Sequence, residues 1–167
     1  MKIIKREFKV YSFKELSREA KDKAMEDWNY DDELEFLQDD MQYKVEDLLK
    51  ENKIEGDLQN VFYSLNNCQG DGAMSEGDFK WKGYFVDIVQ SGHYNHYNSK
   101  TITICDHDGE AVDDKIDKEF DDLYVEICKK LEKYGYDVIE TAQGEENLKE
   151  MFEANDHWFL ENGEMFN

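Results

Sequence analysis

From Gly56 onward the apolar pattern of this chain changes period from about 3.6 to two, and after residue 109 it changes back. A chain that reads helix, then several strands, then helix segregates its elements, and segregated elements build an α+β fold around an antiparallel sheet. Before the switch, Leu16, Ala20, Ala24 and Trp28 recur at four-residue spacing. Ser12 with Glu15, and then Ser17, stand where helix N-caps belong, so a first helix is expected up to about residue 29. Leu34, Leu37, Met41, Val45 and Leu48 follow at steps of 3, 4, 4 and 3, which predicts a second amphipathic helix from about residue 31. The alternation of residues 2–11 suggests a strand ahead of both.

In the middle of the chain, residues 60–65, 73–81, 84–90 and 97–105 are rich in β-branched and aromatic side chains and are separated by glycines. They are read as an antiparallel meander of four strands. Ile116, Phe120, Leu123, Ile127, Leu131 and Tyr134 then step by 4, 3, 4, 4 and 3, the best amphipathic pattern in the chain. Gly135 is placed as the C-cap of that helix, which is expected to lie across one face of the sheet. A short helix over 145–154 and a hairpin around Asn162-Gly163 complete the order. With 167 residues and no Pro-rich or low-complexity stretch, residues 1–167 are expected to form a single acidic α+β domain, an antiparallel meander sheet of four or more strands with amphipathic helices packed on it.

Charge narrows the function classes. Forty-one Asp and Glu stand against twenty Lys and Arg, a formal net charge of −21. Such a chain cannot hold nucleic acid by phosphate neutralisation, so no direct nucleic-acid binding is expected. Aromatic residues are 14% of the total, too many for an acidic disordered chain. Three widely spaced cysteines do not form a disulfide framework and suit a reducing compartment. The N-terminal residues lack the apolar run of a signal peptide, and no stretch reaches the length of a membrane span, so a cytoplasmic protein is expected.

The charge is unevenly placed: residues 26–51 carry eleven acids and two lysines, whereas residues 1–25 carry more basic than acidic groups. Carboxylates on a helix face can meet Lys and Arg in a groove built for phosphates. Asp31, Asp32, Glu35, Asp39 and Asp40 are therefore the candidate partner-binding residues, with Asp71 added from the Gln69-Gly70-Asp71-Gly72 turn. The plain alternative is a solubilising surface. The two glycines of the turn permit positive φ and the close approach of another backbone, and they are expected to be structural.

Other constellations are weaker. His93, His96, Cys105 and His107 could ligate a metal, but their spacing fits no standard zinc site, and the turn at 106–110 lacks most ligands of a calcium loop. Neither a cofactor nor a bound metal is expected. Cys68 with His93 or His96 could make a nucleophile and base, yet no nucleophile elbow or phosphate loop accompanies them. The reading leans away from an enzyme and assigns no catalytic residue. The aromatic strand residues, among them Phe79, Trp81, Phe85, Tyr94 and Tyr97, are expected to be core on one face and a protein-contact patch on the other.

Five segments carry a resemblance. They are Tyr11-Ser-Phe-Lys-Glu-Leu-Ser-Arg-Glu-Ala-Lys-Asp-Lys-Ala24, Phe62-Tyr-Ser-Leu-Asn-Asn-Cys-Gln-Gly-Asp-Gly-Ala73, Ser91-Gly-His-Tyr-Asn-His-Tyr97, Leu131-Glu-Lys-Tyr-Gly-Tyr136 and Phe152-Glu-Ala-Asn-Asp-His-Trp-Phe-Leu-Glu-Asn-Gly163. In this order they resemble a family of acidic phage and prophage proteins, some loosely labelled antitoxin-like. The resemblance implies phage origin and a host cytoplasm, and it brings no catalytic residues with it. Together with the charge it makes the leading expectation a phage-encoded inhibitor that occupies the basic nucleic-acid-binding surface of a host defence protein, such as a CRISPR or restriction nuclease. An antitoxin-like partner of a basic toxin and a metal-dependent enzyme are the alternatives.

Overall fold

A computed structural model describes residues 6–30 and 34–166. The chain forms two compact units: the described residues up to Glu35 with those from Ile139 onward, and Phe36–Val138.

The second unit holds the sheet. Strands β1 (Ile54–Ser64), β2 (Gly72–Trp81), β3 (Tyr84–Gln90) and β4 (Lys100–Cys105) pair antiparallel in the order β1-β2-β3-β4, the expected meander. Two backbone features set the register. Lys82 and Gly83 both have positive φ, the requirement of the tight two-residue turn that joins Trp81 to Tyr84. Between Leu58 and Asn60 the β1–β2 register shifts, leaving Gln59 as the extra residue of a bulge.

One face of this sheet is core. Phe79, Trp81, Val86, Ile88 and Ile104 are buried on it, each contributing about 1.5–3 kcal/mol by its removal from water. Helix α3 (Asp114–Ala142) covers that face through Phe120, whose ring lies 5.2 Å from that of Trp81, and Tyr124, whose hydroxyl accepts from the Ser75 amide at 2.9 Å. Helix α2 (Leu37–Glu51) buries Leu37, Met41, Val45, Leu48 and Leu49. It begins later than residue 31, after a turn at 34–36. Asp39 and Asp40 in its first turn complement the helix dipole.

Gly135 is not a C-cap. Helix α3 runs through it to Ala142, and its missing side chain makes room for other residues: a Cβ there would stand 2.5 Å from Leu65 Cδ1 and 2.9 Å from Met41 Sδ. Within an otherwise helix-forming sequence a single glycine costs only about 1 kcal/mol, which is too little to end the helix.

The first unit is built on α1 (Arg18–Glu26) and α4 (Glu145–Ala154). Both expected caps are present: the Ser12 amide donates to Glu15 Oε2 at 2.9 Å ahead of a short 3-10 turn, and Ser17 Oγ accepts from the Ala20 amide at 3.2 Å. Phe13, Leu16, Ala20, Ala24, Leu148, Phe152 and Phe159 form its core. The expected hairpin around Asn162-Gly163 is present in short form: the Phe159–Met165 bridge is flanked by the Leu160 amide donating to the Glu164 carbonyl and the Phe166 amide donating to the Trp158 carbonyl, each at 2.8 Å. The expected strand at 2–11 lies partly outside the described residues; residues 6–10 are irregular, and only Tyr11 bridges to Phe159. Glu145 ties the helices by accepting from Arg18 at 2.8 Å and Lys21 at 3.4 Å.

Candidate functional site

Two of the segments singled out in the sequence meet at one end of the sheet. Residues 65–71 link β1 to β2, and residues 91–99 link β3 to β4, so the meander itself brings both loops to the same end. Asp71 organises the first loop. Its Oδ2 accepts from the Asn66 amide at 2.7 Å, the Cys68 amide at 2.9 Å and the Tyr136 hydroxyl, while Oδ1 accepts from Ser64 Oγ at 3.1 Å and Cys68 Sγ at 3.2 Å. The Tyr136 hydroxyl first, and then the Cys68 amide, hold this carboxyl well below the usual carboxylate range. Asp71 is buried and its oxygens accept from the loop's own donors, so it is a structural hub of this loop.

The same geometry decides the chemistry of Cys68. Its thiol donates to Asp71, and that hydrogen bond, with burial and the aspartate's charge, raises its pKa. A proton held on sulfur opposes the thiolate that a nucleophile needs.

The second loop is pinned just as firmly. Asn95 Nδ2 donates to the Tyr63 carbonyl at 2.8 Å, Gln90 Nε2 to Asn95 Oδ1 at 3.0 Å, and the Tyr94 amide to Ser99 Oγ at 3.3 Å. His96 Nδ1 accepts from the Asn98 amide at 3.1 Å, and its ring lies 3.9 Å from that of Tyr97. The two glycines of the first loop let the loops approach. Gly70 has φ +104° and lies under the Tyr94 ring; Gly72 has no positive φ, but a Cβ on it would come within 2.6 Å of the His96 ring. Gly70, Asp71, Tyr94, His96, Asn98 and Ser99 line a cleft of 240 Å³ between the loops.

The open face of the sheet has a different character. Asp57 stands opposite Asp78, Asp78 opposite Asp87, and Asp87 opposite Thr103, so three aspartates form one row across β1, β2 and β3. All three are exposed, and among the described residues none makes an ion pair; Asp78 accepts one hydrogen bond, from Gln59 Nε2 at 2.8 Å. In the adjoining row Lys80 is opposite Glu55 and stands 5.1 Å over the ring of Phe85. Phe85 and Val89 are exposed on the same face, 44% and 43%. Like charges placed directly opposite each other on a sheet destabilise it, so folding alone gives no reason for the row. Sequence reading missed it because the three aspartates are separated by 21 and 9 residues and meet only through register.

The helix carboxylates are partly visible. Glu35 and Asp39 are exposed and Asp40 is half-buried, whereas Asp31 and Asp32 lie outside the described residues. His93, His96, Cys105 and His107 do not gather: among the described residues the group whose potential ligand atoms lie within 4.8 Å of one another is Asp106, His107 and Asp108. Asp106 Oδ1 there accepts from the amides of Asp108 and Glu110 at 2.9 and 3.0 Å, as in an ordinary Asx turn. Cys68, Cys105 and Cys128 are free thiols. Among the described residues no helix is long and apolar enough to cross a membrane. Compared with protein-family models, curated proteins and solved structures, the chain gives no match in any of the three.

Proposed function

We propose that this is an acidic binding protein that occupies a basic, nucleic-acid-binding surface of another protein, and that its target is a host defence protein such as a CRISPR or restriction nuclease. The observation that carries the reading is the Asp57–Asp78–Asp87 row. Neighbouring strands are about 4.8 Å apart, so the row is a line of negative charge roughly 10 Å long on a rigid support. A groove that binds a phosphate backbone presents Lys and Arg in a comparable line, and opposite potentials speed encounter and fix register. Phe85 and Val89 beside the row supply apolar area that can be desolvated at the centre of such an interface. The net charge of −21 supports the same partner chemistry. Identification of the target as a defence protein rests on the resemblance to phage proteins.

The test compares two variants of equal charge. One carries Asp57→Asn, Asp78→Asn and Asp87→Asn; the other neutralises Glu51, Asp122 and Glu126, which lie elsewhere in the same unit. Immobilised wild-type protein should capture from nuclease-treated bacterial lysate a protein that duplex DNA displaces. The row variant should lose that capture and the control variant keep it. Equal capture by both variants, or capture that DNA does not displace, would return the charge to solubility.

A further inference from the structure

We infer that the cleft between the two loops receives an arginine side chain of the bound partner. The inference rests on the proposed basic character of the partner surface. Four features of the cleft select a guanidinium. Its walls offer aromatic faces, the Tyr94 ring, 65% exposed, and the His96 ring backed by Tyr97 at 3.9 Å, on which a planar delocalised cation stacks. Its lining offers acceptors: the Asn98 carboxamide has no partner among the described residues, and Ser99 Oγ accepts only the Tyr94 amide. Neither Lys nor Arg is among its lining residues, the nearest cations on the aromatic wall being Lys100 and Lys129, whose Nζ atoms stand 5.8 and 5.7 Å over the Tyr97 ring behind His96. The 240 Å³ cleft has room for a guanidinium with the methylenes behind it.

The loops are also built before the ligand arrives. The hydrogen bonds of Asp71, Asn95 and His96 fix their backbones, so little ordering entropy remains for binding to cost. Buried arginines stacked in fixed pockets are common binding hot spots. An ammonium group lacks the plane for the aromatic walls and is more strongly hydrated, so lysine should enter far less well.

The probe is N-acetyl-arginine methylamide, titrated into isotopically labelled full-length protein and followed by NMR, with N-acetyl-lysine methylamide and adenosine as comparisons. The arginine compound should shift the resonances of Gly70, Tyr94, His96, Asn98 and Ser99 with millimolar affinity, and the lysine compound should bind at least about tenfold more weakly. Tyr94→Ala and Asn98→Ala should each reduce the arginine response severalfold while leaving the rest of the spectrum in place. Absence of shifts at the cleft, equal response to the lysine compound, or response to adenosine without arginine would overturn the assignment. If the cleft stays silent while capture still depends on the aspartate row, the cleft assignment alone fails; if arginine fills the cleft but the row variant still captures the DNA-displaced protein, the surface reading alone fails.

Discussion

Asp71 and Asp78 are seven residues apart in the chain and belong to the same unit, yet their carboxylates meet opposite conditions. Asp71 is surrounded by donors from Ser64, Asn66, Cys68 and Tyr136. Asp78 faces an aspartate on each side and takes a single hydrogen bond from Gln59. The first arrangement lowers the energy of the fold, because the charge is matched from within. The second raises it, because like charges are held in register at strand spacing. A carboxylate's neighbours, rather than its residue type, thus separate internal from external duty: a matched one maintains the loop, and an unmatched one is left for a cation from outside.

The largest effect should come from breaking the matched side. Asp71→Ala strands the amides of Asn66 and Cys68 and the Tyr136 hydroxyl, and should lower the thermal midpoint more than alanine at Gly77 or Gly70 does, with the loops of the cleft losing protection in hydrogen exchange. Asp71 also predicts a pH dependence. Its folded pKa is depressed, so its contribution is fully present above the unfolded carboxylate value of about 3.9 and is lost as pH falls through the folded value. Denaturant titrations below about pH 5 should therefore show a steeper acid loss in wild type than in Asp71→Asn.

Next in size is Gly77→Ala. A Cβ at this position would lie 2.2 Å from the Asp57 carbonyl oxygen, so β1 and β2 could not keep the register that aligns the aspartate row. A loss of about 2–3 kcal/mol is expected in chemical unfolding. Gly70→Ala should cost less, about 1 kcal/mol, because its φ of +104° is strained for alanine although the space beside it is open to ordinary contact. Equal tolerance at both glycines would show that neither the register nor the loop geometry is held by these backbones.

How much of this was legible in the sequence follows from the range of each interaction. The α+β class, the order of four strands, α4 at 145–154 and the caps at Ser12 and Ser17 are all set by neighbours within a few residues, and periodicity and capping chemistry reveal them. Gly135 misled because its local signal is that of a C-cap, whereas its actual duty is to admit Leu65 and Met41, remote in sequence. Tyr124 and Tyr136 stand outside the apolar steps that mark the helix; their hydroxyls bond Ser75 and Asp71, 49 and 65 residues away. A tyrosine on a buried helix face does signal a hidden polar partner, but not which one. The aspartate row was hidden for the same reason: it exists only once the register of three strands is known.

The smallest change in stability carries the most information. Neutralising Asp57, Asp78 and Asp87 together relieves repulsion, and unfolding free energy should stay level or rise, by no more than about 0.5 kcal/mol per site. Unfolding and affinity for the DNA-displaced partner, measured on this one variant at low and at physiological salt, test the central claim directly. The account predicts stability unchanged or increased, affinity lowered, and a shallower salt dependence than wild type. Wild-type affinity at both salt concentrations, or affinity lost only together with stability, would contradict it.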